Sequence, residues 1–150
     1  MLHAPSNPLL KGTDAVEEVL SGMERAGLVE YRRLTGVPHA RMASFVADAD
    51  VVVDQVVLGN PGVLVAEAFA AGRLVVAHLA RGVRERFEGA LPVLDADPVT
   101  LRGVLEQVLA DRPTHQQLAA RGPSWAREHH DGRRAAAVLA PWLGAGPTGG

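Results

Sequence analysis

Two apolar segments rich in β-branched residues constrain the fold of this chain more than any other feature. The first, Asp50 to Asp54, holds three valines between acids, and the second runs from Leu74 to Leu79. Strands buried on both faces of a parallel sheet have this character. The turn Gly59-Asn60-Pro61-Gly62 and a helical segment from about Val63 to Ala71, closed by Gly72, separate the two segments. The pattern predicts a right-handed βαβ unit and therefore an α/β fold.

The other elements are predicted from apolar spacing and from residues that start or stop helices. They are a helix from Thr13 to Gly27, a short or edge strand from Leu28 to Leu34, a helix opened by Pro38 and ending before Asp48, a third strand from Leu91 to Leu94, and a helix with Leu101, Val104, Leu105 and Val108 on one face. The remainder is predicted to be helical, with breaks at Pro113 and near Gly122-Pro123, and its last inward-facing stripe is Ala135, Val138, Leu139 and Trp142.

This order of elements predicts one Rossmann-like domain with three α/β/α layers and a mostly parallel sheet. We expect the domain to span residues 1–143 and the glycine-rich segment 144–150 to be a disordered tail. A chain of 150 residues, 47% hydrophobic, is long enough to bury one core but is too short for two domains of ordinary size.

Composition excludes several classes of function. The 15 basic and 17 acidic residues give a net charge of −2, so there is no basic field for nonspecific binding to nucleic acid. Without cysteine there can be no disulfide, thiol nucleophile or cysteine-rich zinc site. The sequence also has neither a membrane-spanning run nor a signal peptide pattern, so we expect a cytoplasmic protein.

Ligands of open α/β sheets bind outside the carboxyl ends of the strands, and three segments are predicted to lie there: residues 3–12, 54–62 and 78–85. The middle segment is the strongest candidate. Its glycines allow close approach of a ligand to the backbone, and the following helix would offer free N–H groups at the positive end of its dipole. A diphosphate would fit such a site.

Lys11 and Glu67 are the two charged residues predicted to serve this site. Lys11 is the single lysine of the chain and precedes Gly12 in a loop rich in proline, serine and asparagine. Glu67 lies one helical turn beyond Val63 and interrupts a surface of small apolar residues. The alternatives are a solvated surface lysine and a solvated glutamate on the outer side of the helix.

Other polar residues have simpler structural interpretations. His78 at a strand end could contact a ligand, although the backbone commonly satisfies a histidine in such a position. Arg81, Arg84 and Arg86 could reach a phosphate or remain solvated. His129-His130-Asp131 does not suit a metal, because adjacent residues on a helix point apart. Asp54 ends a buried strand, as in a phosphorylatable receiver domain, but His3-Ala4-Pro5-Ser6 lacks the acidic pair that such a domain needs for Mg²⁺.

Four segments resemble the C-terminal, donor-binding half of GT-B-fold glycosyltransferases of the group 1 family. The resemblance runs over nearly the whole chain, and its segments are HAPSNPLLKGT, ADADVVVDQ, GNPGVLVAEAFAAGRLVVAHL and EHHDGRRAAAVLAPWL. The third segment is the most specific, because it looks like the family's glycine-rich turn and glutamate, followed by a helix end of small residues, a glycine and a strand.

The resemblance implies a role for each matching residue. Glu67 matches the glutamate that bonds the ribose hydroxyls of a nucleotide sugar. Gly62, Val63 and Leu64 match the helix N-terminus whose N–H groups hold the diphosphate, and Lys11 with Gly12 matches the basic residue that neutralises it. Residues 34–41 correspond to the region that borders the base. Lys11 would then stabilise the leaving diphosphate during retaining transfer of a sugar, with the nucleotide sugar as donor substrate and no metal or other cofactor required.

The sequence departs from the family pattern in three respects. Gly59 stands where the family has its first glutamate, which contacts the donor sugar. The arginine that commonly partners the lysine has no counterpart in the segment from Ser6 to Leu10. The N-terminal acceptor domain of a GT-B enzyme is missing. The chain is thus a fragment of a longer enzyme, a subunit that works with a separate polypeptide, or a noncatalytic nucleotide-binding or interaction domain.

Overall fold

A five-stranded, entirely parallel sheet forms the centre of the computed structural model, which describes residues 1–87 and 91–142. The strand order is β2-β1-β3-β4-β5. The strands are β1 (Leu2–His3), β2 (Arg32–Arg33), β3 (Val51–Val53), β4 (Leu74–Ala77) and β5 (Val93–Asp95). The predicted α/β class and parallel sheet are confirmed.

Helices cover both faces of this sheet. They are α1 (Pro8–Lys11), α2 (Thr13–Arg25), α3 (His39–Ala47), α4 (Val63–Ala70), α5 (Arg81–Phe87), α6 (Leu101–Ala110), α7 (Arg112–Ala119), α8 (Gly122–His130) and α9 (Arg133–Leu139). Within the described ranges, none of these helices combines the length and the apolar character needed to cross a membrane.

Alternation along the strands divides the core into two layers. Val52 and Val75 point to the side covered by α3, α4 and α8. Val51, Val53 and Val76 point to the side covered by α2, α6 and α7. Because β1, β3 and β4 bury both of their faces, the valine runs need no polar alternation. The helices on the two sides of the sheet then give the Rossmann-like three-layer arrangement.

The strand ends differ from those predicted, for identifiable reasons. β2 keeps only Arg32 and Arg33 of the predicted 28–34 segment and lies at the sheet edge, where it pairs with β1. β4 ends at Ala77, because the N–H of His78 donates to the backbone of Gln55 rather than to a neighbouring strand. β5 is displaced towards Asp95, which pairs with Ala77.

The predicted inward stripe at the carboxyl end is wrong. Val138, Leu139 and Trp142 are 64%, 50% and 86% exposed, and the side chain of Ala135 lies outside the described part of the structure. Both sheet faces are already covered when the chain reaches α9, which packs chiefly on α8. The segment predicted as a tail, 144–150, also lies outside the described residues.

The helices α8 and α4 pack closely against each other on one face of the sheet. A Cβ atom on Gly122 would lie 2.9 Å from the carbonyl oxygen of Phe69 and 3.0 Å from its Cα. The absence of a side chain lets Trp125 reach Phe69 in an edge-on contact, with ring centroids 5.2 Å apart. Because the obstructing atoms belong to the backbone of α4, moving them aside would distort that helix and cost free energy.

Gly122→Ala is therefore expected to destabilise the fold by about 1–3 kcal/mol through overpacking. Gly103→Ala in α6 is the matched control, since a Cβ there meets no atom within 4 Å. That substitution should raise the free energy of unfolding by about 0.5–1 kcal/mol through helix propensity. Urea denaturation of both variants measures the difference, and equal stabilities would contradict the close packing of α8 on α4.

A buried histidine joins β1, β3 and α2. His3 is fully buried; its Nδ1 lies 2.8 Å from the carbonyl oxygen of Val53, and its Nε2 lies 3.0 Å from the hydroxyl of Thr13. The carbonyl can only accept, so Nδ1 carries the proton and Nε2 accepts from the Thr13 hydroxyl. Burial lowers the pKa of His3 below its ordinary value and keeps the ring neutral.

This lowered pKa makes stability depend on pH. A neutral His3 stabilises the fold above the unfolded-state pKa of about 6.5, and this contribution is lost as pH falls from there through the folded-state pKa. We expect the free energy of unfolding to fall on acidification below about pH 6.5, and His3→Gln to remove much of that fall. Exposed His130→Gln is the control. If the free energy of unfolding of His3→Gln falls on acidification as much as that of the wild type, His3 is not the source of the pH dependence.

Candidate functional site

The site predicted at the carboxyl edge of the sheet lies where the chain reverses its direction of winding. β1 and β3 are neighbours, but β1 is followed in the chain by β2 on one side, whereas β3 is followed by β4 on the other. The loops that leave β1 and β3 therefore separate and leave a crevice, the usual ligand position in such sheets. The N–H of Val56 donates to the carbonyl of Lys11 at 3.1 Å and joins the two loops.

Lys11 is placed by a short helix that the sequence interpretation treated as a loop. The side chain of Asn7 caps α1 by accepting from the N–H of Leu10, and Pro8 opens the helix. Gly12 ends it with a φ of 70°, and a Cβ there would lie 2.7 Å from the Cγ2 atoms of Val56 and Val57. The order of asparagine, proline and glycine was a capping signal that could have predicted α1.

An ion pair with Asp54 fixes the Lys11 side chain. Lys11 Nζ lies 2.6 Å from Asp54 Oδ1, and the two side chains are 12% and 0% exposed. The other carboxylate oxygen, Oδ2, accepts from the N–H of Gly62 at 3.3 Å. The position of Asp54 at the strand end is predicted by the sequence, whereas its pairing with Lys11, 43 residues earlier, is not.

The N-terminus of α4 completes this part of the site. Gly62 is its N-cap residue and offers no side-chain cap. Within the described residues, no acceptor is recorded for the N–H groups of Val63 and Leu64. A Cβ on Gly62 would lie 3.1 Å from Lys11 Nζ, so the glycine keeps the ammonium group next to the helix end. The structure thus brings the predicted Lys11, Gly12, Gly62, Val63 and Leu64 together.

Glu67 lies further along α4, at the side facing α3. Its side chain is 26% exposed, and Oε1 is 3.5 Å from Nε2 of His39, the first residue of α3. His39 belongs to the 34–41 segment and is 81% exposed. Glu67 is therefore neither buried nor fully solvated, and it lies beside the segment that the resemblance associates with a base.

The turn between β3 and α4 has no room for a side chain at residue 59. Gly59 adopts a φ of 75°, and its Cβ would lie 2.8 Å from Cβ and 2.9 Å from N of Ala80. Fully buried Gln55 holds this turn, since its amide donates to the carbonyl of His78 at 2.6 Å and its oxygen accepts from the N–H of Gly59 at 2.9 Å. Gln55 was not predicted as a residue of the site, because a single glutamine next to an apolar segment gives no recognisable sequence pattern.

Polar groups at the ends of β4 and β5 partner one another. Asp95 accepts from the N–H of Leu79 at 2.9 Å and pairs with Arg84 at 2.6 Å. Nδ1 of His78 lies 3.3 Å from Asp95 Oδ1. Arg81 pairs with Glu85 on the exposed side of α5. These contacts stabilise the loops beside the site and give Arg81 and Arg84 partners of their own.

His129 belongs to a different part of the molecule. Its ring stacks on Trp125 with centroids 4.3 Å apart, and Nδ1 is bonded to the carbonyl of that tryptophan at 3.0 Å. His130 also lies against the same indole. In the described residues this cluster is an aromatic contact of α8.

A cavity of about 500 Å³ opens at the opposite, amino-terminal edge of the sheet. Met1, Asp50, Arg73 and Leu74 contribute to its lining, and none of the predicted site residues does. We place the candidate site at the carboxyl edge rather than in this cavity. The ammonium group of Lys11 lies there beside the N-terminus of α4, whereas the amino-terminal cavity mixes acids, arginines and apolar side chains.

The described fold is similar to that of Anabaena Alr3699/HepE, whose crystal structure was determined in complex with UDP. The TM-score is 0.61 and the sequence identity 16%, over 96% of this chain and 48% of Alr3699/HepE. The chain therefore spans about half the length of that protein, and the likeness concerns the fold. No family model matches the chain, and no curated protein does.

Proposed function

We propose that this chain binds the nucleoside diphosphate part of a nucleotide sugar, as the donor-binding half of a glycosyltransferase. One observation carries the proposal: Lys11 Nζ lies against Gly62, where the N–H groups of Val63 and Leu64 have no recorded acceptor in the described residues. A cation beside free N–H groups at a helix N-terminus favours a phosphate anion. The fold shared with a protein crystallised with UDP supports the same ligand class.

The positions of the other site residues agree with this ligand. Glu67 lies five residues beyond Gly62 on the same helix, a rise of about 7.5 Å. A carboxylate at that distance can accept hydrogen bonds from the two hydroxyl groups of a ribose while the diphosphate stays at the helix end. His39 would then border the nucleoside. Leu9, Val57 and Val63 are 85%, 53% and 72% exposed around the polar centre and offer apolar contact.

The chemistry proposed for this site is retaining transfer of a hexose from the diphosphate to an acceptor. In this scheme Lys11 and the amide groups of α4 stabilise the charge that develops on the leaving diphosphate, and no metal is required. The acceptor site would belong to an N-terminal GT-B domain, on a longer chain or on a separate one. The match to only 48% of Alr3699/HepE supports a role for such a partner.

A noncatalytic nucleotide-binding or interaction domain is the second candidate. It is favoured by the contact between Gly59 and Ala80, which leaves no space for a side chain that could contact a donor sugar. The pairing of Lys11 with Asp54 also reduces the positive charge available to a leaving group. A noncatalytic nucleotide-binding domain differs from the first candidate in that no transfer follows, whereas an interaction domain would not need the nucleotide.

Nucleotide binding is tested by calorimetric titration with UDP, GDP and ADP. We expect one of them to bind with a Kd below about 1 mM. Glu67→Gln should weaken that binding about tenfold or more, since a carboxylate bond to the ribose is lost. Glu106→Gln on α6, where Glu106 pairs with exposed Arg102, is the control. Absence of binding by all three nucleotides to a folded sample would overturn the proposal.

Whether the function of the chain depends on nucleotide binding is tested by its biological effect. If transfer is the function, Glu67→Gln should abolish that effect at unchanged stability, and Glu106→Gln should preserve it. Retention of the full effect by a Glu67→Gln protein that no longer binds nucleotide would favour the interaction domain.

A further inference from the structure

The carboxylate of Asp54 occupies donors that a phosphate group would use. It accepts from Lys11 Nζ at 2.6 Å and from the N–H of Gly62 at 3.3 Å. Both donors belong to the phosphate site proposed above, on which this inference rests. Without a ligand, the chain thus places its own anion at the end of α4.

Asp54 is held too firmly for a ligand to displace it easily. Its side chain is fully buried, and its backbone N–H donates to the carbonyl of Val76 in β4. Moving the carboxylate out would leave Gly62 without its recorded acceptor and would separate a buried ion pair, which costs several kcal/mol. A bound diphosphate would therefore share Lys11 with Asp54 and would lie close to its negative charge.

The net charge that a ligand meets at Lys11 and Asp54 depends on this sharing. Lys11 and Asp54 together are formally neutral, so attraction for an anion comes from the N–H groups of Val63 and Leu64 and from the remaining protons of the ammonium group. Repulsion by Asp54 increases with the charge of the ligand. A free nucleoside diphosphate carries about one negative charge more than its sugar ester near neutral pH, because its terminal phosphate has a second pKa of about 6.

We propose that Asp54 acts as a resident anion that lowers the affinity of the site for phosphate ligands in proportion to their charge. It opposes a nucleoside diphosphate more than a nucleotide sugar, and this difference favours release of the product of transfer over release of the donor. Asp54 is thus a specificity-determining residue. It shares Lys11 with the ligand, and its repulsion discriminates between ligands of different charge.

The test compares ligands of different charge on the full chain and its Asp54→Asn variant. The single amide oxygen can still accept from one of the two donors, Lys11 or Gly62, so the side chain keeps its size and one of its contacts while one charge is removed. Calorimetry should show UDP binding about tenfold tighter or more, because a unit charge near a phosphate has an effect of this size at protein-like screening. UDP-glucose should gain less than UDP, and uridine should be unchanged.

Asp48→Asn provides the matched control, because it removes the same charge from an exposed residue at the end of α3, at the opposite edge of the sheet. It should leave all three affinities unchanged. Binding of UDP by Asp54→Asn that is unchanged or weaker than wild type, while the wild type binds, would overturn this inference alone. Failure of both proteins to bind any of UDP, GDP and ADP would overturn the proposed function with it.

A measurement on the wild type keeps the inference testable if Asp54→Asn does not fold. A neutral pair makes binding weakly dependent on salt, so the Kd for UDP should change less than about fivefold between about 50 and 300 mM NaCl. A larger change would show an unneutralised Lys11 and would contradict the role of Asp54 as a resident anion.

Discussion

The buried ion pair between Lys11 and Asp54 is the interaction on which the candidate site depends. It joins the loops after β1 and β3 at the point where the winding of the sheet reverses. Two desolvated charges at this position are stable only together, because either alone would be a buried charge without a partner. The pair therefore fixes the position of the ammonium group relative to α4 and sets the charge that a ligand meets.

Glycines make this arrangement sterically feasible. Gly12 turns the chain against Val56 and Val57, Gly59 lets the next turn pass beside Ala80, and Gly62 leaves room for the lysine. Gln55 and Asp95 then bond the loops that surround the centre. The site is thus preorganised by backbone contacts, which suits recognition of a phosphate by N–H groups rather than by a cluster of flexible cations.

Much of the fold followed from local sequence. The valines of β3 and the helix after Gly62 were predicted within one or two residues. The signals for both, a run of apolar residues and the residues that begin and end a helix, lie close together in the sequence. The edge strand β2 was predicted less well, since its residues alternate poorly. The exposed Val138 and Leu139 were predicted to face inward, because periodicity identifies an apolar face but not whether another layer remains for it to cover.

The sequence by itself determined the type of each main element and the edge of the sheet to which Lys11, Gly62 and Glu67 would belong. These properties depend on residues within a turn or two along the chain. Tertiary structure alone decided that Lys11 meets Asp54, 43 residues away, and that Glu67 lies beside His39. Such contacts depend on which strands become neighbours, and strand order results from the packing of the whole sheet rather than from any local pattern.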